Sequence, residues 1–470
     1  MVADLAIYTV VHQPRRLKLP AQPIPRGASI EDIAHCLFDE RMNERYFRKV
    51  AHYSYYPACR LFLEQVRQGL HLSIGFSLSF IRQAAIWDRQ LLDLFRELVA
   101  HENVELIGVE PYHSFLFLLD LPAFVVRMRK MADELEAIFG KRPLVTDTTE
   151  MCMSASLYDA LDTAGFRGAV MDGRPWVMGW RESTHLYRNG DEASYPLPLE
   201  AMQGQGRIRK TPPKLLAPSG QSSAPYLLTR HLELSDDVGY RFSNQDWHSY
   251  PLYADTYANW IANTWGDMLL LGWDFETFGE HHRQDSGIFD FMRALPYELS
   301  CRHVQTRTVS QLIELHQEHT YHLPLPVQPT TWAGSGGMEF FLGNDAQQYI
   351  LQLMGHVYGT ARLTENPDLI DLAVWLSQSD NLHLIQWYGR SGPEAEVSAY
   401  FTPDEWWELG PQNVIHEQQQ VYLNALRAME PYLPARTVRR ASRKNSVRKL
   451  PAEKYELAAV GSLSYPSNSG

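Results

Sequence analysis

The chain has 470 residues, of which 45% are hydrophobic and 21% are charged, so it can bury the core of one large domain or of several smaller ones. Its formal net charge is −12, and because residues 436–470 carry +6, the rest of the chain carries −18. A body this acidic does not present the basic face of a nucleic-acid-binding protein and favours a neutral substrate.

Targeting and redox signals are also missing from the sequence. Residues 1–11 lack the charged and apolar regions of a signal peptide, and no apolar run approaches the ~18 residues of a transmembrane helix. The cysteines show no CxxC spacing, which indicates neither a zinc site nor a disulfide framework. We therefore expect a cytoplasmic protein with no cofactor and no membrane or nucleic-acid partner.

Apolar runs predict seven strands before residue 272. Each run is aliphatic or β-branched, has the length of a buried strand and stops at polar or turn-forming residues. The predicted strands cover residues 6–11, 70–80, 103–109, 143–147, 168–171, 226–229 and 268–271. Helical periodicity predicts helices at residues 30–68, 87–101, 122–140, 157–165 and 246–265.

Strands that alternate with helices are expected to lie parallel and to be joined by helical crossovers. A barrel and an open doubly wound sheet both satisfy this pattern. The chain has no GxGxxG or GxxxxGK[ST] motif at a strand–helix turn, which argues against a nucleotide-binding sheet. The sequence therefore predicts an α/β barrel.

The pattern changes after the last of these elements. A proline-rich connector at residues 323–329 is followed by helical periodicity at residues 346–357, 367–378 and 411–432. The end of the chain is basic and then rich in serine and proline, which is typical of disorder. We expect a barrel over residues 1–322, a helical subdomain over residues 330–432 that contributes to the cleft, and a basic, disordered tail over residues 433–470.

Polar side chains stand at the ends of the predicted strands, where barrel enzymes place their chemistry. The richest end is DFETFGEHH at residues 274–282, in which aromatic residues and glycines separate the acids, unlike a merely solvated loop. Glycoside hydrolysis needs two carboxyl groups that face one sugar bond, but composition does not select the pair. The polar groups at strand ends are His12, Glu105, His113, Glu150, Asp172, Asp236 and Asp274.

Five ordered segments resemble glycoside hydrolase family 57. They are HQPRRL at His12, NVELIGV at Glu105, TTEMCMS at Glu150, GWDFETFGEHH at Asp274, and the segment 332–344, which ends in FFLGN. The resemblance implies an incomplete (β/α)7 barrel followed by helices. It also implies cleavage or transfer of α-glucans with retention through a covalent glycosyl-enzyme intermediate, with Glu150 as the nucleophile and Asp274 as the acid/base.

Short sequence motifs point to one branch of that family. The segments FETFGEH and SDDVGYRFSNQDW are most similar to the α-amylase branch, although the aspartate that usually follows Ala333 is replaced by Gly334. Ser379-Asp380-Asn381 also lacks the histidine-phenylalanine of the related SDHF segment. We expect an α-amylase-type hydrolase of α-1,4-glucans, with a 4-α-glucanotransferase, a branching enzyme or a non-catalytic glucan-binding protein as alternatives.

The sequence also suggests substrate contacts. His12, Glu105 and His113 are expected to line the cleft and to bond sugar hydroxyl groups. Trp332 and Trp247 are expected to offer rings to the sugar, with ordinary core packing as the alternative for each.

Two alternatives concern the catalytic groups themselves. Glu276 competes with Asp274 because alternate residues of an extended segment face the same side. A metal mechanism through His281, His282 and Asp285 is the other alternative. Adjacent histidines point in different directions and HExxH is absent, so we predict no metal.

Overall fold

The structure, a computed structural model, describes residues 1–190 and 224–434. The predicted tail lies outside the described residues from residue 435 onward. The strands are β1 (Asp4–Val11), β2 (Leu72–Phe76), β3 (Val104–Ile107), β4 (Val145–Thr146), β5 (Gly168–Asp172), β6 (Leu186–Asn189), β7 (Tyr226–Arg230), β8 (Met268–Asp274), β9 (Gln305–Arg307) and β10 (Thr320–Leu323).

Seven of these strands follow one another in the order β1, β2, β3, β4, β5, β7 and β8, with parallel neighbours throughout. Two of the strand pairings are short. β3 and β4 are linked by the isolated bridge between Gly108 and Thr146, and β7 and β8 share the single register pair Arg230 and Leu270. The incomplete (β/α)7 barrel is therefore confirmed, with a barrel that is not closed.

Three short strands were not predicted. β6 pairs antiparallel to β7, β10 pairs with β6, and β9 pairs with β1. Polar residues fill much of β6, β9 and β10, so no apolar run distinguishes them from loops in the sequence.

Helices connect the strands and continue after them. They are α1 (Ile30–Leu37), α2 (Glu40–Val50), α3 (Tyr56–Arg67), α4 (Leu78–Trp87), α5 (Arg89–Ala100), α6 (Leu116–Leu119), α7 (Leu121–Phe139), α8 (Ala155–Ala164), α9 (Pro175–Met178), α10 (Leu232–Gly239), α11 (Ala254–Asn263), α12 (Ile288–Cys301), α13 (Val309–His316), α14 (Glu339–Leu342), α15 (Asp345–Thr364), α16 (Pro367–Leu376), α17 (Asp380–His383), α18 (Pro393–Tyr400), α19 (Asp404–Leu409) and α20 (Pro411–Met429). A π-helical segment, Ala51–Tyr55, joins α2 to α3. Short 3₁₀ turns lie at Thr149–Met151, Phe275–Thr277, Gln284–Ser286, Gln317–His319 and Glu430–Tyr432.

Some predicted boundaries were wrong for local reasons. The helix expected over residues 30–68 breaks after Leu37, because the carboxylate of Asp39 accepts a hydrogen bond from the Met42 amide and caps a new helix. The helix expected from residue 246 begins only at Ala254, because Pro251 has no amide hydrogen and restricts the residue before it.

Side chains of the barrel strands alternate between two apolar clusters, as the two-residue period of a strand requires. In β1, Ala6, Tyr8 and Val10 belong to the inner cluster, whereas Leu5 and Ile7 belong to the cluster between strands and helices. Helix α13 adds three apolar residues to the inner cluster at the end where the strands begin: Val309, Leu312 and Ile313. The opposite end, where the strands finish, is left for polar groups.

The helices after residue 338 pack on one another and on that polar end. Asn344 starts α15 as a capping box, with its side chain accepting from the Gln347 amide at 2.8 Å. Backbone hydrogen bonds join this region to the loop after β3, from Phe115 N to Ser377 O at 2.8 Å and from Ser379 N to His113 O at 2.7 Å. Across residues 1–190 and 224–434, no helix combines the length and apolar character that a membrane span requires.

The inner cluster generates a stability prediction. Leu270 is fully buried in it, so Leu270→Ala removes packed apolar atoms and leaves a cavity, at a cost of about 2–5 kcal/mol in the free energy of unfolding. The midpoint of urea denaturation measures this loss. Leu363→Ala on α15 is the control, because Leu363 is 54% exposed and should cost little. Equal midpoints for the two variants would show that Leu270 is not packed in the inner cluster.

Candidate active site

The site forms where β1, β4 and β8 end. Val10 of β1 lies opposite Asp274, the last residue of β8, so the carboxyl group of Asp274 emerges beside the residues that follow β1. Glu150 lies in the 3₁₀ turn that follows β4. The two carboxyl groups are close enough to interact electrostatically, and both residues are partly buried.

Glu150 is held by donors from two distant segments. Trp332 Nε1 donates to Glu150 Oε2 at 2.8 Å, and Ser379 Oγ donates to Glu150 Oε1 at 2.8 Å. The backbone of Glu150 has a left-handed φ of 57°, and its carbonyl accepts from Thr331 Oγ1 at 2.9 Å. Such backbone strain in a non-glycine residue persists only where neighbouring contacts hold it, and it is concentrated at functional sites.

Both carboxyl groups are poised to exchange protons near neutral pH. Burial raises the pKa of Glu150 to about 7, against the hydrogen bond from Trp332, which stabilises the ionised form. Burial and then the negative charge of Glu150 raise the pKa of Asp274 to about 7. The two carboxyl groups therefore titrate in the same pH range and are coupled to each other.

Two stacked histidines flank this pair. The rings of His12 and His113 lie 3.9 Å apart with an angle of 7° between their planes. His12 Nδ1 bonds Ser77 Oγ at 2.9 Å, and His12 Nε2 bonds Asp380 Oδ2 at 3.1 Å. Burial opposes ionisation of Asp380, but the charge of His12 and its hydrogen bond lower the pKa of Asp380 to about 2.

His113 is the inner member of the stack. It has a left-handed φ of 51° and is only 4% exposed. Burial and the charge of His12 hold the pKa of His113 well below its usual range, so His113 stays neutral. Its ring packs against the ring of His12.

The carboxylates of the remaining strand ends are paired with arginines. Arg230, the last residue of β7, donates through Nη1 to Asp172 Oδ1 at 2.9 Å and through Nη2 to Asp236 Oδ1 at 2.5 Å. Arg174 forms an ion pair with Asp172 and also donates to the carbonyl group of Trp332. These contacts fix the loop that carries Trp332, and they leave Glu150 and Asp274 as the partly exposed pair.

Two further carboxyl groups lie behind the pair but are deeply buried. The Tyr8 hydroxyl donates to Asp147 Oδ2 at 2.9 Å, and the Tyr55 hydroxyl donates to Glu276 Oε1. Burial raises the pKa of each carboxyl group well above its ordinary value. Glu276 is 9% exposed, which makes it less accessible to a substrate than Asp274.

Two predicted site residues lie elsewhere. Glu105 is the second residue of β3, and Ser73 Oγ and Ser310 N donate to its carboxylate at 3.2 and 2.9 Å. These contacts place it where the strands begin, beside α13, rather than in the cleft. The ring of Trp247 packs against Trp260 of α11 at 6.3 Å, which agrees with the core-packing alternative.

The histidines of the proposed metal alternative have protein partners. His282 bonds Ser243 Oγ through Nδ1 at 2.7 Å and the Gly239 carbonyl through Nε2 at 3.1 Å. The His281 ring lies 5.6 Å from that of Phe401. Among the residues that the structure describes, no three potential ligands from histidine, cysteine, aspartate and glutamate converge on a point that could hold a metal ion.

Several site residues were missed from the sequence. In the sequence, Ser379 and Asp380 stand out only as a departure from a family segment, and Ser77 and Arg230 belong to no motif. The one available signal was position, since Ser77 and Arg230 stand at the ends of β2 and β7, in the same layer as His12 and Asp274. The sequence alone does not show that α17 packs against these strand ends.

An incomplete α/β barrel with a close pair of carboxyl groups at the strand ends defines an enzyme of the type that cleaves glycosidic bonds. The model for Glycosyl hydrolase family 57 matches residues 6–326, and the chain belongs to this family. It is a glycoside hydrolase by that membership.

Individual relatives agree with this assignment. A protein of Methanocaldococcus jannaschii named "Putative alpha-amylase" is 27% identical over 95% of this chain and 88% of its own length. The fold is similar to that of the 4-alpha-glucanotransferase from Thermococcus litoralis, with a TM-score of 0.59, 14% identity, and coverage of 90% of this chain and 60% of that one. It is also similar to the branching enzyme from Pyrococcus horikoshii, with a TM-score of 0.54, 14% identity, and coverage of 93% and 97%.

The hydrogen bond from Trp332 to Glu150 predicts a pH effect. Trp332→Phe removes a donor that stabilises the carboxylate, so the pKa of Glu150 should rise above about 7. If Glu150 acts when ionised, the acid limb of the kcat/KM profile on an aryl maltoside should move to higher pH by roughly one unit. Trp387→Phe, which removes a 3.1 Å bond to Thr402 away from the pair, is the control. An unmoved limb in Trp332→Phe would refute the role of this bond.

Proposed function

We propose that the protein is an α-amylase-type hydrolase that cleaves α-1,4-glucans with retention of configuration. Glu150 is the nucleophile and Asp274 the acid/base. The observation that carries these roles is the unequal hydrogen bonding of two carboxyl groups that are otherwise alike. The name of the M. jannaschii relative supports the substrate class.

The unequal hydrogen bonding favours ionisation of one carboxyl group over the other. Glu150 accepts hydrogen bonds from Trp332 and Ser379, and donors of this kind favour the ionised form of a carboxyl group. Among the described residues, no side chain or amide donates to the Asp274 carboxyl group, which also faces the charge of Glu150. The hydrogen bonds therefore suit Glu150 to act in the ionised form and leave Asp274 to act in the protonated form.

The reaction follows from that assignment. The Glu150 carboxylate attacks the anomeric carbon while the glycosidic C–O bond breaks, and Asp274 gives its proton to the leaving oxygen. The product is a glycosyl ester of Glu150. Asp274, now ionised, takes a proton from water, whose oxygen attacks the anomeric carbon and releases Glu150.

Substrate contacts are assigned from exposure around the pair. His12 and Asp380 are partly exposed, so the imidazole and the carboxylate can form hydrogen bonds with sugar hydroxyl groups. Tyr240 is 58% exposed and lies within the electrostatic reach of Asp274, which makes its ring a candidate to stack on a sugar. Trp332 remains a candidate for stacking in addition to its bond to Glu150. We do not assign Glu105 or Trp247 to the cleft.

Hydrolysis and transfer share the covalent intermediate and differ only in the acceptor, so products separate them. Incubation with maltoheptaose should give shorter glucans and free reducing ends. Glucans longer than the substrate would instead indicate a 4-α-glucanotransferase, and new branch points would indicate a branching enzyme. No release of any product would favour a non-catalytic glucan-binding protein. The cytoplasmic location and the absence of nucleic-acid or membrane partners stay predictions.

Removal of the nucleophile gives the first mutational test. Glu150→Gln keeps the size of the side chain but cannot attack as an anion, so hydrolysis of maltoheptaose should fall by roughly 10⁴-fold or more. Glu105→Gln is the matched control because its carboxyl group lies at the other end of the barrel. Reducing-sugar release and melting temperature are measured for both. Near-normal turnover by Glu150→Gln would show that the nucleophile is another residue.

Chemical rescue identifies the acid/base. Asp274→Ala should cleave an aryl maltoside with a good leaving group, because departure then needs little protonation. Azide should increase its rate by trapping the intermediate as a glycosyl azide of retained configuration. Glu276→Ala removes the buried competitor that Tyr55 binds, and it should show no azide rescue. Rescue of Glu276→Ala but not of Asp274→Ala would reverse the assignment.

A further inference from the structure

A second concave site lies on the outside of the barrel. This Tyr53 groove has a volume of about 1140 Å³ and is lined in part by Tyr53, Tyr56, Arg60, Gln90, Arg283 and Asp285. None of its lining residues belongs to the site around Glu150 and Asp274. Pockets for small molecules measure ~300–1,000 Å³, so the groove has room for a segment of a chain.

Two aromatic rings in the groove are held in place by guanidinium groups. Arg283 lies 4.1 Å from the centre of the Tyr53 ring, and Arg60 lies 5.2 Å from that of Tyr56. Tyr53 nevertheless remains 45% exposed. A ring that is supported on one face and open elsewhere can pack on the apolar face of a sugar at little cost in side-chain entropy.

Charges of both signs lie at and beside the groove. Glu280 bonds both Lys49 Nζ at 2.8 Å and Arg283 Nη1 at 3.1 Å, and the Tyr56 hydroxyl donates to Asp88 at 2.8 Å. The lining itself carries Arg60, Arg283 and Asp285. A surface of mixed charge does not favour a phosphate or a nucleic acid. Donors and acceptors beside partly exposed aromatic rings suit a ligand rich in hydroxyl groups.

The two sides of the groove are in direct contact, so it is formed before a ligand arrives. Gly279 has a φ of +111°, and a Cβ atom there would lie 1.9 Å from the carbonyl oxygen of Tyr53. Ser54 Oγ also donates to the Phe275 carbonyl at 3.2 Å. These contacts join the π-helical segment to the loop after β8, and a preformed site does not lose binding energy to ordering.

We propose that the Tyr53 groove binds a segment of an α-1,4-glucan chain at a second carbohydrate site, separate from the catalytic cleft. The identity of the glucan rests on the proposed function. A long glucan then attaches to the protein at two places, whereas a substrate as short as an aryl maltoside uses the cleft alone. The groove thereby raises the affinity for polymeric substrates without taking part in bond cleavage.

Electrophoresis in gels containing soluble starch tests the groove, and hydrolysis of an aryl maltoside tests the cleft independently. Tyr53→Ala should reduce retardation by starch about fivefold, the loss expected for one stacked ring, while the aryl maltoside rate is unchanged. Tyr349→Ala on α15 is the control, because Tyr349 is 44% exposed but lies outside the groove, and it should be retarded like the wild type.

The outcomes separate the two proposals. Equal retardation of Tyr53→Ala and Tyr349→Ala overturns the groove proposal, whatever the aryl maltoside rate is. A wild-type chain that does not cleave the aryl maltoside counts against the proposed function, while loss of retardation in Tyr53→Ala still supports the groove. If Tyr53→Ala melts at a much lower temperature, Arg60→Ala decides by the same comparison, since Arg60 is exposed and supports the ring of Tyr56.

Discussion

The rest of the site depends on the hydrogen bonds that Trp332 and Ser379 donate to the Glu150 carboxyl group. A carboxylate that is partly removed from water is costly unless donors replace its hydration. Here the donors come from Trp332 and Ser379, which lie 182 and 229 residues further along the chain. The position of the Glu150 side chain is therefore a property of the assembled fold, because the turn that carries Glu150 does not supply these bonds itself.

The groups around Glu150 and Asp274 are also held by contacts between distant segments of the chain. Arg230 and Arg174 neutralise Asp172, and Arg174 also binds the carbonyl group of Trp332. The His12–Asp380 hydrogen bond places an imidazole and a carboxylate beside Asp274. These contacts leave Glu150 and Asp274 as two neighbouring carboxyl groups whose pKa values are both raised to about 7.

Much of the fold could be predicted because apolar runs report buried parallel strands directly. The site was harder, and Glu105 shows why. A motif places a residue on or near a strand. Only a residue at the C-terminal end of the strand can direct its side chain into the cleft. Glu105 stands at the other end, three residues before Gly108, so a carboxylate within the right segment fell on the wrong side of the barrel. Ser379 and Asp380 could not be predicted, because their approach depends on how the helices after residue 338 pack.

That packing reaches the loops that follow β3 and β4. The two strands are joined through the bridge between Gly108 and Thr146, and their loops continue past it. Residues from beyond the barrel bond these loops, with Ser377 and Ser379 bonding the loop after β3 and Thr330 bonding Met153 after β4. Ser379 also donates to Glu150, so one residue bonds both the loop after β3 and the turn after β4. Loss of the helical packing would therefore remove a hydrogen-bond donor from Glu150 even if every strand stayed paired, so the carboxyl pair of the barrel depends on the helices that follow it.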